Sequence, residues 1–162
     1  MSMETMKPSE RVQAALDARG LGIKVVEFIA STATAPEAAA AAGCDLGAIV
    51  KSLLFLVDGQ PTLVLVAGDR MADHKKLAAQ FEVSKKRVKL ADAETVLRVT
   101  GYQVGGVPPV GHNSPLRIMV DESLQRFKVV WAAAGAHNAV FPIDCAKLIE
   151  ITGGRVAAIT EE

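Results

Sequence analysis

Ile49-Val-Lys-Ser-Leu-Leu-Phe-Leu-Val57, the turn Asp58-Gly59-Gln60, and Thr62-Leu-Val-Leu-Val-Ala67 read as a β-hairpin of two long strands. Both runs are apolar almost throughout, which places them in the middle of a sheet covered on both faces. Five helices surround the hairpin. Ser9 to Gly20 reads as an opening helix capped by Ser9 and ended by the glycine. Thr34 and Glu37 have the spacing of a capping box at the head of an alanine-rich helix that runs to Gly43, with Pro36 in its first turn. Asp73, Asp92 and Asp144 each precede a further helix, over His74–Gln80, Ala93–Thr100 and Cys145–Glu150. Other strands fall at Ile23–Phe28, Leu116–Val120, Lys128–Ala132, Ala139–Phe141 and Arg155–Ile159. About seven strands and five helices that do not strictly alternate define an α+β (mixed α/β) class around one sheet, without a Rossmann or barrel rhythm.

The chain has 162 residues and is half hydrophobic, enough for a single domain over 1–162 with residues 1–8 read as flexible. Its 18 basic and 18 acidic residues cancel, which argues against non-specific coating of nucleic acid and leaves room for a local basic patch. No run is long enough to span a bilayer, and Met1-Ser-Met-Glu-Thr-Met-Lys-Pro lacks the order of a signal peptide. Cys44 and Cys145 lie far apart without a CxxC pattern and read as reduced thiols of a cytoplasmic protein. His74, His112 and His137 show no metal-ligand spacing, so no metal and no cofactor is expected.

Two features look too expensive to be structural. Side-chain alternation puts Lys51 on the strand face of Ile49, Leu53, Phe55 and Val57, so its ammonium must reach water or be buried against an anion. Gly101-Tyr-Gln-Val-Gly-Gly-Val-Pro-Pro-Val-Gly-His112 holds four glycines and two prolines in twelve residues, a composition at once permissive and stiff. It suits a long connector, or a site where main-chain groups point at a ligand. Asp69 and Arg70 close the hairpin and can pair with each other. Ser52 and Ser114 have no base at a readable spacing, and Cys44 is a nucleophile only if something lowers its pKa. The most basic residues, Lys75, Lys76, Lys85, Lys86, Arg87 and Lys89, form either a solvated face or a phosphate-facing patch.

The ordered set Ile49-Val-Lys51-Ser-Leu-Leu-Phe, Gly68-Asp-Arg, Lys75-Lys-Leu-Ala, Thr100-Gly-Tyr-Gln-Val-Gly105-Gly-Val-Pro-Pro109-Val-Gly-His, Val120-Asp-Glu-Ser-Leu and Ala134-Gly-Ala-His137-Asn resembles the YbaK/prolyl-tRNA synthetase-associated editing domains. The resemblance runs from about residue 10 to 157. It implies a curved, barrel-like mixed sheet and a free-standing, trans-acting hydrolase of wrongly charged tRNA, above all tRNA-Pro carrying a small amino acid such as alanine. The family's lysine corresponds to Lys51 and its GxxxP loop to Gly105, Gly106, Val107, Pro108 and Pro109, the expected catalytic set. Tyr102, Gly111, Gly135, His137, Asp69 and Arg70 are the expected substrate-binding residues; no role is carried onto His112.

The implied partners are aminoacyl-tRNA and, transiently, prolyl-tRNA synthetase or an elongation factor, with no membrane and no DNA. The ester to a terminal ribose is already activated, so a positioned water and a stabilised oxyanion suffice for its hydrolysis. Release of sulfur from a cysteine side chain is a variant chemistry among relatives. Two other classes compete: a catalytically silent tRNA-end or nucleotide-binding module, and a general small-ester or amide hydrolase.

Overall fold

A computed structural model describes residues 6–162. The elements are α1 (Pro8–Ala18), β1 (Val26–Glu27), α2 (Ala35–Ala42), β2 (Ile49–Val57), β3 (Gln60–Ala67), α3 (His74–Gln80), β4 (Val88–Leu90), α4 (Ala93–Thr100), β5 (Arg117–Asp121), β6 (Val129–Ala133), β7 (Ala139–Asp144), α5 (Cys145–Thr152) and β8 (Arg155–Ala157). Eight strands form one mixed sheet in the order β1-β7-β6-β2-β3-β5-β8, and β4 pairs with β2 off this path. The sheet is not closed: β1 and β8 are its two ends.

The hairpin is central, as its composition requires. β2 and β3 pair antiparallel from Val50↔Ala67 to Val57↔Gln60 around the turn at Asp58-Gly59. One face carries Val50, Leu54, Leu63 and Leu65, which pack with Val12 and Leu16 of α1 and Leu148 of α5. The other carries Phe55, Val57, Val64 and Val66, covered by Leu77 of α3 and by Ile159. Covering both faces takes these eight side chains out of water, the dominant favourable term in folding.

Three helix starts follow their caps directly. Asp73 accepts from the backbone N–H of Lys75 and Lys76, Asp92 from Thr95, and Asp144 from Ala146. The Thr34–Glu37 box is closed in both directions, at 3.3 and 3.2 Å. The opening helix differs from its reading. It begins at Pro8, and Ser9 lies inside it, buried, donating its hydroxyl to Glu27. Of the N-terminal stretch read as flexible, residues 1–5 lie outside the described residues, and Pro8 is helical.

The strand expected over Ile23–Phe28 shrinks to Val26–Glu27. The Gln13 side chain takes its polar groups, donating to the Ile23 carbonyl and accepting from the Val25 N–H. An extra strand, β4, follows the basic turn Lys85–Arg87, where charge masked a short extended segment.

Candidate active site

The geometry of the site begins with the company β2 keeps on its outer edge. β6 pairs with it in parallel only at Ile49↔Trp131 and Val50↔Ala132, then leaves. β4 pairs with it antiparallel only from Phe55 onward, with Ala91 N donating to the Leu54 carbonyl just before. A gap therefore opens beside Lys51, Ser52 and Leu53. A cavity of about 380 Å³ lies there, lined by Lys51, Ser52, Gly105, Val107, Trp131 and Thr32 among others. Its wall is mostly apolar and, among the described residues, holds no acidic side chain.

Lys51 is half-buried, and its Nζ donates to the Arg70 carbonyl oxygen. Burial pushes the ammonium pKa down from its ordinary value, and the nearby Asp69 carboxylate pulls it back up. The lysine is thus neither free in water nor in a tight ion pair. Asp69 is turned elsewhere: Arg126 grips it at 2.7 and 3.1 Å, whereas Arg70 stands 3.9 Å away. The Arg126 hydrogen bond holds the Asp69 carboxyl below its usual range. So the expected Asp69–Arg70 pair is present but loose, and the tighter hold on Asp69 is the Arg126 fork. Arg70 supplies a main-chain carbonyl to Lys51, and its side chain lines a separate cleft with Lys76 and Glu161.

The glycine–proline loop has no regular structure, yet it is held from several sides. Tyr102 is only 1 % exposed, lies under the Arg11 guanidinium at 4.6 Å, and donates its hydroxyl to the Gly111 carbonyl at 2.7 Å. The His112 Nε2–H donates to the Pro108 carbonyl at 2.6 Å. Burial holds His112 below its ordinary pKa, against the raising effect of that hydrogen bond and with the Arg19 charge adding to the depression. Gly135 N donates to the Gly106 carbonyl at 2.8 Å, tying this loop to the small-residue loop after β6. The approach is close enough that a Cβ on Gly106 would stand 2.9 Å from the Gly135 oxygen. Gly135 itself has φ +94° and sits against the Pro8 carbonyl.

The expected site residues therefore separate. Lys51, Gly105 and Val107 share the cavity. Gly106 and Gly135 join the two loops, while Pro108 and Pro109 are buried behind them. The Tyr102 side chain and Gly111 brace the loop from within, away from the cavity. His137 is exposed; its carbonyl accepts from Thr32 N at 2.6 Å, and its ring does not line the cavity. The basic residues lie on the β4 side of β2: Lys85, Lys86, Arg87 and Lys89 are exposed, as is Lys75, and Lys76 donates to the Thr160 carbonyl. Arg87 is paired with Asp58 at 3.2 Å. Cys44 is partly buried, and burial followed by the neighbouring Asp45 pushes its thiol up, the opposite of an activated nucleophile.

Sequence reasoning missed Trp131, Thr32 and Arg126. Trp131 is the one tryptophan of the chain and carries no motif. Arg126 could have been found only by knowing that the 3₁₀ turn Glu122–Arg126 returns beside the end of β3. Among the described residues no group of three His, Cys, Asp or Glu side chains is placed to hold a metal ion.

The fold and this loop-lined cavity define an aminoacyl-tRNA editing domain, and the chain belongs to that family, whose model matches residues 30–151. YwhH of Bacillus subtilis is 35% identical over 133 residues, covering 82% of this chain and 83% of its own length. The proline–tRNA ligase of Desulfovibrio desulfuricans is 40% identical over 104 residues, 62% of this chain but only 17% of the ligase. Among solved structures, a candidate trans-editing enzyme for prolyl tRNA synthetase superposes with a TM-score of 0.90 at 42% identity, over 97% of this chain and 99% of that one. APE2540 superposes with a TM-score of 0.85 at 34% identity, over 93% and 99%. No helix among the described residues is long and apolar enough to cross a membrane.

Proposed function

We propose that this chain is a cytoplasmic aminoacyl-tRNA deacylase acting in trans on tRNA-Pro that carries a small wrong amino acid, alanine foremost. The observation that carries the reading is the meeting of Lys51, Gly105 and Val107 in one small apolar cavity of an editing domain. In the reaction, water adds to the ester carbonyl and the acyl–oxygen bond breaks. Free amino acid and the ribose hydroxyl of the tRNA end are released.

Lys51 provides a cation for the terminal phosphate or adenosine. The main chain of the Gly105–Pro109 loop holds the aminoacyl group and orients the water, with a neighbouring ribose hydroxyl assisting. A cavity near the lower end of ligand-site volumes favours a small side chain. Exclusion of proline by size is worth only roughly 1–3 kcal/mol for a methylene, so its margin is modest. Prolyl-tRNA synthetase or an elongation factor is the natural transient partner of a protein with no net charge.

The test is single-turnover deacylation of tRNA-Pro charged with alanine, serine, threonine, cysteine or proline. Rapid loss of one small amino acid with proline spared supports the reading. Complete inertness of the folded protein toward this panel and toward other aminoacyl-tRNAs leaves the silent binding module instead.

A further inference from the structure

The gap in β2 leaves one residue with its main chain turned outward. In an antiparallel pair, hydrogen-bonded residues alternate along the strand, so every second residue directs its N–H and C=O away from the partner. The Ile49 carbonyl accepts from Gly68 N on the β3 side, and the Leu54 carbonyl accepts from Ala91 N on the opposite side. By that parity Val50, Ser52 and Leu54 face the outer edge. Val50 is paired with β6 and Leu54 is bonded to Ala91, which leaves Ser52 between them, paired with neither β6 nor β4.

Ser52 lines the cavity. Its Oγ has almost no accessible surface and finds no hydrogen-bond partner among the described residues, while the residue as a whole is partly exposed. Ser52 is therefore open to the cavity elsewhere than at its hydroxyl oxygen.

An aminoacyl ester is itself an N–Cα–C=O unit, a strand of one residue. We infer that the outward N–H and C=O of Ser52 bind the amino-acid part of the ester as an added strand residue. The Ser52 carbonyl accepts from the α-amine, and the Ser52 N–H donates to the ester carbonyl oxygen. This deepens, and rests on, the deacylase reading. Edge-strand recognition of this kind reads main-chain atoms and ignores the side chain. Such a donor also faces the oxygen on which negative charge develops when water adds. The wall offers the α-amine no carboxylate, so a carbonyl acceptor fits its chemistry. Side-chain choice is then left to Val107, Trp131 and Thr32 on the remaining wall.

The experiment replaces Ser52 by its α-hydroxy analogue, which exchanges the N–H for an ester oxygen, beside Ser52→Ala, which keeps the main chain. Both are assayed on alanyl-tRNA-Pro with a free and with a trimethylated amine, and circular dichroism checks the fold. The α-hydroxy variant is expected to lose about a hundredfold in rate. Ser52→Ala should lose at least about tenfold less rate than the α-hydroxy variant and be no less stable, since the lost hydroxyl is unpartnered. For wild type, the trimethylated substrate, which keeps the charge but has no N–H, should be cleaved at least about tenfold more slowly.

Equal rates on the two substrates overturn the inference, even if the α-hydroxy variant does not fold. So does an active α-hydroxy variant, or a Ser52→Ala loss as large as the backbone change. Wild-type inertness toward every aminoacyl-tRNA is a separate result. It brings down the deacylase reading first, and this inference with it.

Discussion

The Gly101–His112 loop and strand β2 invert the usual division of labour between loops and strands. The loop has no regular hydrogen bonding, yet it is largely buried and tied by Tyr102, His112 and Gly135. β2 is the longest strand and lies mid-sheet, yet its outer edge is broken for a few residues where the cavity opens. The loop is fixed by side chains and close backbone approach; the strand is left incomplete by the departure of β6. A site built this way has a rigid wall on one side and unused strand-edge groups on the other.

The strand side of the comparison breaks hardest at Lys51. Lys51→Ala should lower deacylation by at least about a hundredfold while leaving the fold intact, as circular dichroism and thermal melting would show. It removes a group held by one main-chain carbonyl and leaves the apolar faces in place. An active Lys51→Ala protein would sink the role given to that residue.

On the loop side, Gly106→Ala drives a Cβ against the Gly135 carbonyl. Overpacking of backbone on backbone should destabilise by about 1–3 kcal/mol in denaturant unfolding, with a rate loss on the order of tenfold. A fully stable and active Gly106→Ala protein would mean that the two loops are not rigidly joined.

A milder cut is Tyr102→Phe. It keeps the ring under Arg11 and removes the hydrogen bond to Gly111, at a cost of about 1 kcal/mol and a small loss of rate. An unchanged unfolding midpoint would count against Tyr102 as a brace.

The smallest effect concerns pH. Burial lowers the His112 pKa in the folded chain, so below about pH 6.5 the unfolded chain takes up a proton that the folded chain resists. Stability is therefore lost as pH falls through that region. A His112→Asn variant should lose less stability between roughly pH 6.5 and 5 than wild type. Parallel stability curves would contradict the burial of a neutral imidazole.

Much of the fold was legible because its signals are local. The Asp73, Asp92 and Asp144 caps and the Thr34–Glu37 box needed only short spacing, and the Asp58-Gly59 turn fixed the hairpin register. β4 and the shortened β1 were illegible for the opposite reason: one exists through pairing with β2, and the other is cut short by Gln13 from a different element. At the site, Lys51 stood out because a charge on an apolar strand face is costly anywhere. Asp69 was visible, but Arg126, the partner that holds it, was not.

By itself, then, the sequence determined the central hairpin, the capped helices, the out-of-place lysine, the stiff glycine–proline loop and the resemblance to the editing family. Each of these is written in neighbouring residues or in ordered motifs. Only the tertiary structure decided that the sheet stays open and that Asp69 turns to Arg126. It also decided that Tyr102 braces the loop from inside, and that β6 leaves β2 just where Ser52 presents its backbone. Those facts depend on which distant segments meet, and long-range pairing is set by the packing of the whole chain, which no short spacing encodes.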